Sequence, residues 1–320
     1  MQQRESKVVR RSSSATFATS SVDGFVERYI PVDVRRSDGG SRNAMSVDVE
    51  DYFQVSAFEH RFERRSWGDL PCRIPQNIDR ILQLFSDSNV SATFFTLGWV
   101  AERFPEVVRR ISGEGHEVAS HGFAHHRVGS QTSDQFREDV SYTRKLLEDT
   151  SGSPVSGYRA ASFSITTDTL WAYRILQEAG YKYSSSIYPI SHDHYGIPSA
   201  PQGAFRFEDG GIIEVPLSTV RLWGRNIPCA GGGYFRLLPF RFTQWALHRI
   251  QDHDGRAINF YFHPWELDTG QPRVNGIPTK SRFRHYVNLG RFEGRLKRIL
   301  DEFKWDRLDM ILGEHIVSTR

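Results

Sequence analysis

Three short segments that lie far apart in the chain each set acids or histidines at the edge of an apolar run. They hold Asp48, Glu50 and Asp51, then His121 and His125, then His263. Those residue types suit a metal-assisted hydrolase, because two imidazoles and a carboxylate leave an open position for water on a zinc-like ion. Three acids within four positions are costly to bury unless a cation or hydrogen bonds compensate them; a solvated turn after a strand is the plain alternative. Histidines spaced i, i+4 face one way if their segment is helical. An exposed helical pair has the same spacing, and His126 is a spare.

His263 ends the apolar run Ile258 to Phe262 and precedes Pro264 and Trp265, which puts its imidazole at the rim of a core. A pKa near neutrality there suits a proton donor to a leaving group, although a satisfied core histidine reads the same. Arg159 follows Gly157 and Tyr158 at another strand end. Its permanently charged fork suits the orientation of a carboxylate base, or an ordinary surface ion pair.

The elements that must position these groups alternate. Strands are predicted over Ala44 to Val49, Ala92 to Leu97, His116 to Ser120, Gly157 to Ala160, Lys182 to Ser186, Ile212 to Val215 and Ala257 to Phe262. Helices are predicted near 75–86, 100–113, 133 onward with Thr132 to Asp134 as the cap, 167–179 and 239–252. Parallel strands joined by helical crossovers make an open sheet or a barrel, and polar clusters at strand ends favour the barrel. The Gly- and Pro-rich stretch 196–233 reads as a loop, in which Gly231, Gly232 and Gly233 allow backbone to approach a bulky ligand.

The chain has 320 residues, 38% hydrophobic and 13% aromatic, enough for one large α/β domain. Residues 1–42 mix Ser, Arg, Asp and Gly and read as a disordered arm, with 43–320 as a single catalytic domain. A net charge of +3, from 41 basic and 38 acidic residues, excludes a strongly basic nucleic-acid binder. Cys72 and Cys229 are the only cysteines, so neither a disulfide framework nor a cysteine metal knuckle is present and a reducing, cytoplasmic setting is expected. No stretch is apolar enough for a membrane span.

Read together, the segments resemble polysaccharide deacetylases of the NodB-homology type, the carbohydrate esterase family that removes N- or O-acetyl groups from glycans. The likeness covers roughly Asn43 to Arg320. Residues 46–55, 157–165, 180–189, 234–239 and 260–268 resemble, more narrowly, the subgroup associated with exopolysaccharide loci and the exosortase system. The resemblance implies an α/β fold, a distorted (β/α)7-type barrel, and a divalent metal, zinc in the first instance. It implies Asp48 as general base, Glu50 or Asp51 as the metal carboxylate, and His121 with His125 as the metal histidines. Arg159 would open the motif whose following N–H groups hold the oxyanion, and His263 would be the general acid.

Two departures stand out. Ala161 replaces a proline, and Ser184 replaces the aspartate that holds the acid histidine, with Glu214, Asp193 and Glu266 as candidate substitutes. The implied substrate is an N-acetylated sugar of an exopolysaccharide or its precursor, in an open groove lined by Tyr188, Tyr234 and Trp265. The alternatives are a catalytically decayed glycan-binding protein of the same fold, or an amidohydrolase for small cyclic amides or imides in a closed pocket. The oligomeric state is not legible in the sequence.

Overall fold

The computed structural model describes residues 29–34, 43–192, 195–207 and 211–317. Twelve strands run in chain order: β1 (Tyr29–Pro31), β2 (Asn43–Val49), β3 (Thr93–Thr96), β4 (Glu117–Ser120), β5 (Gly157–Tyr158), β6 (Tyr183–Ser184), β7 (Phe205–Phe207), β8 (Ile213–Glu214), β9 (Thr219–Leu222), β10 (Arg225–Pro228), β11 (Asn259–Phe262) and β12 (Trp305–Asp306). The main sheet has the order β1-β7-β8-β6-β5-β4-β3-β2-β11, with β12 also on β2. From β8 through β6, β5, β4, β3 and β2 to β11 every pairing is parallel. Only β1 and β7 add antiparallel strands at one edge.

Strand β2 is buried along its whole length, as a strand covered on both faces must be. Its alternation decides what each face sees. Met45, Val47 and Val49 pack into the large core shared with the helices, whereas Ala44 joins Phe95, Ala119, Tyr183 and Ile213 in a small cluster. The same parity puts Ser46 and Asp48 on the Ala44 side, the inside of the curved sheet. Across the seam between β8 and β11, Asn259 replaces a ladder: its side-chain amide donates to Val215 O (3.0 Å), and its backbone carbonyl accepts from Ser218 N (3.3 Å). The result is the α/β, mostly parallel, distorted barrel expected from the sequence.

Several local readings change. The helix read over 100–113 is two, Gly98–Arg103 and Pro105–Gly113. Pro105 disfavours a helical Phe104, which adopts φ −135° and ψ 58°. The helix Ser133–Ser151 begins at the expected cap, with Thr132 and Gln135 forming a capping box. The stretch 196–233 is not simply a loop, since it carries β7, β8 and the hairpin β9–β10. Its Gly231, at φ 119°, lies so close to β11 that a Cβ would sit 1.8 Å from Tyr261 O, so the close approach is to the sheet and not to a ligand. Of residues 1–42, all but 29–34 lie outside the described residues; β1 pairs with β7, and Tyr29 packs edge-on against Phe205. Among the described residues no helix is long and apolar enough to cross a membrane.

Candidate active site

Register places the chemistry on one rim. Val49 pairs with Thr96, Thr96 with Ser120, Ser120 with Tyr158, and Tyr158 with Ser184. The next residues of these strands therefore stand in a row at the carboxyl edge: Glu50, Leu97, His121, Arg159 and Ser185. On the other flank Phe262 pairs with Val47, which brings His263 level with Asp48.

Glu50, His121 and His125 are buried, and each offers a ligand atom within 4.8 Å of the others. The histidines do not converge through a helix, as their spacing suggests. They flank an irregular loop with Gly122 at φ 73° and His125 at φ 53°. The loop is clamped from three sides. Arg64 donates to Ala124 O (2.7 Å) and His125 O (3.1 Å), Asp139 accepts from Phe123 N (2.8 Å), and Gly98 N donates to Gly122 O (2.9 Å).

His121 Nδ1 lies 2.8 Å from Arg159 O, so donation to that carbonyl leaves Nε2 with its lone pair facing the cluster. Burial, opposed by Asp48, holds His121 down at about 4, neutral and ready to ligate at pH 7. Burial raises Glu50, but the neighbouring His125, with His263 and His121, brings it to about 2. Glu50 Oε2 lies 2.9 Å from His125 Nε2 and accepts no hydrogen bond. An ionised carboxylate oxygen buried in this way, between two imidazoles, fits a divalent cation.

Asp48 and His263 face each other beside this cluster, Nε2 to Oδ2 at 3.9 Å, and His263 Nε2 is 3.6 Å from Glu50 Oε1. Arg159 fixes the first. It is fully buried, donates to Asp48 Oδ1 (2.6 Å), Ser46 Oγ (2.9 Å) and Ser185 O (3.0 Å), and lies 4.0 Å over the Phe95 ring. Glu266 fixes the second, 2.8 Å from Nδ1, and is itself held by Arg236 Nε at 2.6 Å. Burial pushes His263 down, but the hydrogen bond to Glu266 and the charges of Glu50, Glu266 and Asp48 outweigh it and raise the imidazole to about 9. Its side chain is 17% exposed, against 3% for Asp48 and Glu50, so solvent reaches the cluster past the protonated ring.

The remaining sequence candidates separate. Asp51 turns away from the cluster and accepts from Tyr52 N (2.7 Å) and Arg73 N (2.5 Å), leaving Glu50 to face the histidines. Tyr188 is not a groove residue: it is fully buried with Phe163, Leu217 and Tyr261. Trp265 is also buried, its ring stacked between His263 (5.1 Å) and His285 (4.2 Å), and its N–H points at Glu50 Oε1 (3.4 Å). Tyr234 is half-buried and shares a hydrogen bond with Tyr195. Ser184, next to the inward-facing Tyr183, points to the helix side of the sheet, bonded to Ser186 Oγ (2.8 Å), and Glu214 accepts from Ser186 N and Ile187 N. Glu266 therefore occupies the position on His263 that Ser184 cannot fill; Asp193 lies outside the described residues.

Arg236, Ser46 and Ser185 are parts of the site that the sequence reading assigned no role. Arg236 had a signal, since it sits in the Tyr234 to Pro239 segment. A buried arginine next to a strand-end Glu266 becomes visible only once the barrel closes.

Comparison with known proteins divides the chain. Residues 66–184 match the family model "Polysaccharide deacetylase", and residues 185–313 match a domain of unknown function, DUF3473. A 73-residue stretch is 37% identical to a peptidoglycan-N-acetylglucosamine deacetylase of Bacillus cereus, covering 23% of this chain and 26% of the relative. A 110-residue stretch is 31% identical to a peptidoglycan deacetylase of Helicobacter pylori, covering 34% and 36%. A chitooligosaccharide deacetylase of Rhizobium leguminosarum is 32% identical over 73 residues, covering 23% and 34%. The matches thus span roughly a quarter to a third of these relatives' own length. The crystal structure of a candidate polysaccharide deacetylase from Mycobacterium smegmatis superposes with a TM-score of 0.56 at 20% identity, covering 90% of this chain and 93% of that one, and it shares the fold. A polysaccharide deacetylase domain is supported over residues 66–184. The boundary at Ser184 and Ser185 falls at the end of β6, inside one sheet. His121, His125 and Arg159 lie before it, His263, Glu266 and Arg236 after it.

Proposed function

We propose that this protein hydrolyses the acetamide of N-acetylated sugars, using a divalent ion of the zinc class held by Glu50, His121 and His125. The observation that carries the reading is the opposition of Asp48, anchored by Arg159, to His263, anchored by Glu266, across that cluster. A bound divalent ion supplies polarisation of the acetyl carbonyl and acidification of a water. Asp48 takes the proton from the attacking water while Arg159 keeps its carboxylate oriented. His263 gives the Nε2 proton to the sugar nitrogen as the C–N bond breaks, which leaves acetate and a free amine.

The curated relatives bear the names of peptidoglycan and chitooligosaccharide deacetylases, which supports the acetylated-sugar class. Within that class we place the substrate in an exopolysaccharide or its precursor, following the motif resemblance. The free thiols Cys72 and Cys229 fit a cytoplasmic site of action. The complete set of Asp48, Glu50, His121 and His125, all buried, with His263 at its rim disfavours a decayed binding protein. Acetate release from N-acetylglucosamine oligomers, abolished by chelator and restored by divalent metal, is the expected result. Equal release from the wild type and from Asp48→Asn would refute the assigned chemistry.

A further inference from the structure

Beside the catalytic rim lies a groove of about 550 Å³ between the loop carrying Glu59 and Arg61, the residues following the metal-loop histidines and the helix Thr279–Tyr286. Arg61, Arg127, Lys280 and Arg284 line it against one acid, Glu59. Among the described residues none of these four cations forms an ion pair. Elsewhere on the surface Arg73, Arg80, Arg110, Arg137 and Arg307 are each matched to a carboxylate, whereas cations without an ion pair among the described residues, such as Arg109, Arg221 and Arg225, are not gathered around this groove. The groove is set apart by collecting four in one concavity. Arg127 Nε is buried without any hydrogen-bond partner. Confining like charges in one concavity is unfavourable unless something negative enters it, and guanidinium forks match carboxylate and phosphate geometry.

The groove is joined to the site. Arg127 follows His125 by two residues, and Ser162, on the groove wall, follows Arg159 by three and is hydrogen-bonded to Ser56. Arg284 precedes His285, whose ring stacks on Trp265, which stacks in turn on His263.

We infer that this groove takes an anionic substituent, carboxylate or phosphate, of the glycan whose acetylated sugar is at His263, so that the protein selects negatively charged glycans over neutral ones. The inference rests on the deacetylase reading and names its substrate class. Its test compares kcat/KM for acetate release from N-acetylglucosamine oligomers, from equally long oligomers alternating N-acetylglucosamine with glucuronate, and from phosphate-bearing oligomers.

For the full chain at low salt, one of the anionic substrates should be favoured by at least about tenfold, and the larger ratio identifies the anion. That preference should collapse in Arg61→Gln/Arg284→Gln, shrink in Arg127→Gln, and weaken in about 0.5 M salt, chiefly through KM. A ratio near one in the wild type, or an unchanged ratio in the variants, overturns the inference and leaves the deacetylase reading intact. Should no substrate release acetate, the deacetylase reading fails, and calorimetric binding of the same anionic oligomers decides for the groove. Saturable binding weakened at least about fivefold in Arg61→Gln/Arg284→Gln supports it, and equal or undetectable binding overturns it.

Discussion

Two glutamates are buried at opposite ends of the same barrel, and their carboxyl groups are driven in opposite directions. At the carboxyl rim burial raises Glu50, but the imidazoles around it win and bring it to about 2. At the amino rim burial and the nearby Asp309 push Glu117 up to about 8, against hydrogen bonds from Thr93, Tyr183 and Asp309 N. Equal burial therefore has no fixed consequence, and the charge of the neighbours decides it. One end keeps a permanent anion in a cluster of bases, a site suited to holding a cation. The other keeps a neutral acid that ties β3, β6 and the segment around Asp309 together, a structural joint. A depression of about 870 Å³, lined by Asp87, Trp305 and Arg307 among others, lies near that second end and exceeds the groove of about 550 Å³ beside the carboxyl rim, so size is no guide to the candidate site.

The comparison can be broken at the carboxyl rim first. Asp48→Asn and His263→Ala should each lower kcat for acetate release by about a thousandfold in protein that still folds, whereas Glu117→Gln should leave turnover close to wild type. Equal losses in all three would erase the distinction between the rims. Glu50→Gln and His121→Ala should reduce bound divalent metal, measured by elemental analysis of the purified protein, from about one equivalent to a small fraction of one. Retention of a full equivalent in both would move the cation elsewhere.

Arg236→Met removes the partner of a buried carboxylate and should cost about 3 kcal/mol in chemical denaturation. The amino rim is sharpened by pH. Glu117 binds its proton more tightly folded than unfolded, so its contribution is complete below about 4.5 and is lost as pH rises through about 8. Wild-type stability should therefore fall over that window by on the order of a few kcal/mol relative to Glu117→Gln, and parallel curves would contradict the assignment. The smallest effect concerns His263, which, against burial, the hydrogen bond to Glu266 holds upward; in Glu266→Gln the alkaline limb of activity should move down by about one unit in a rate–pH profile.

The fold was legible where short apolar runs alternated with helical patterns, as in β2 and β11, and the rim followed from the acids and histidines that end those runs. Alternation loses its meaning one residue past a strand, which is why sequence alone left Glu50 and Asp51 equivalent. The turn that sends Asp51 to the N–H group of Tyr52 is completed by Arg73 N, 22 positions away in the chain. The His121–His125 spacing suggested a helix because nothing local announces Arg64 and Asp139, the clamps on an irregular loop. The aromatic pattern around Tyr188 could not separate a sugar platform from a core wedge. Burial chose the latter.

The seam between the two matched segments has a practical corollary. Strand β6 is hydrogen-bonded on one side to β5 and on the other to β8, with Asp48, Glu50, His121 and His125 upstream and His263 downstream. A polypeptide severed after Ser184 would yield two halves, each holding an incomplete reaction centre and a raw sheet edge. Neither half should turn over substrate when expressed alone, and co-expression could regain turnover only through re-annealing along that edge.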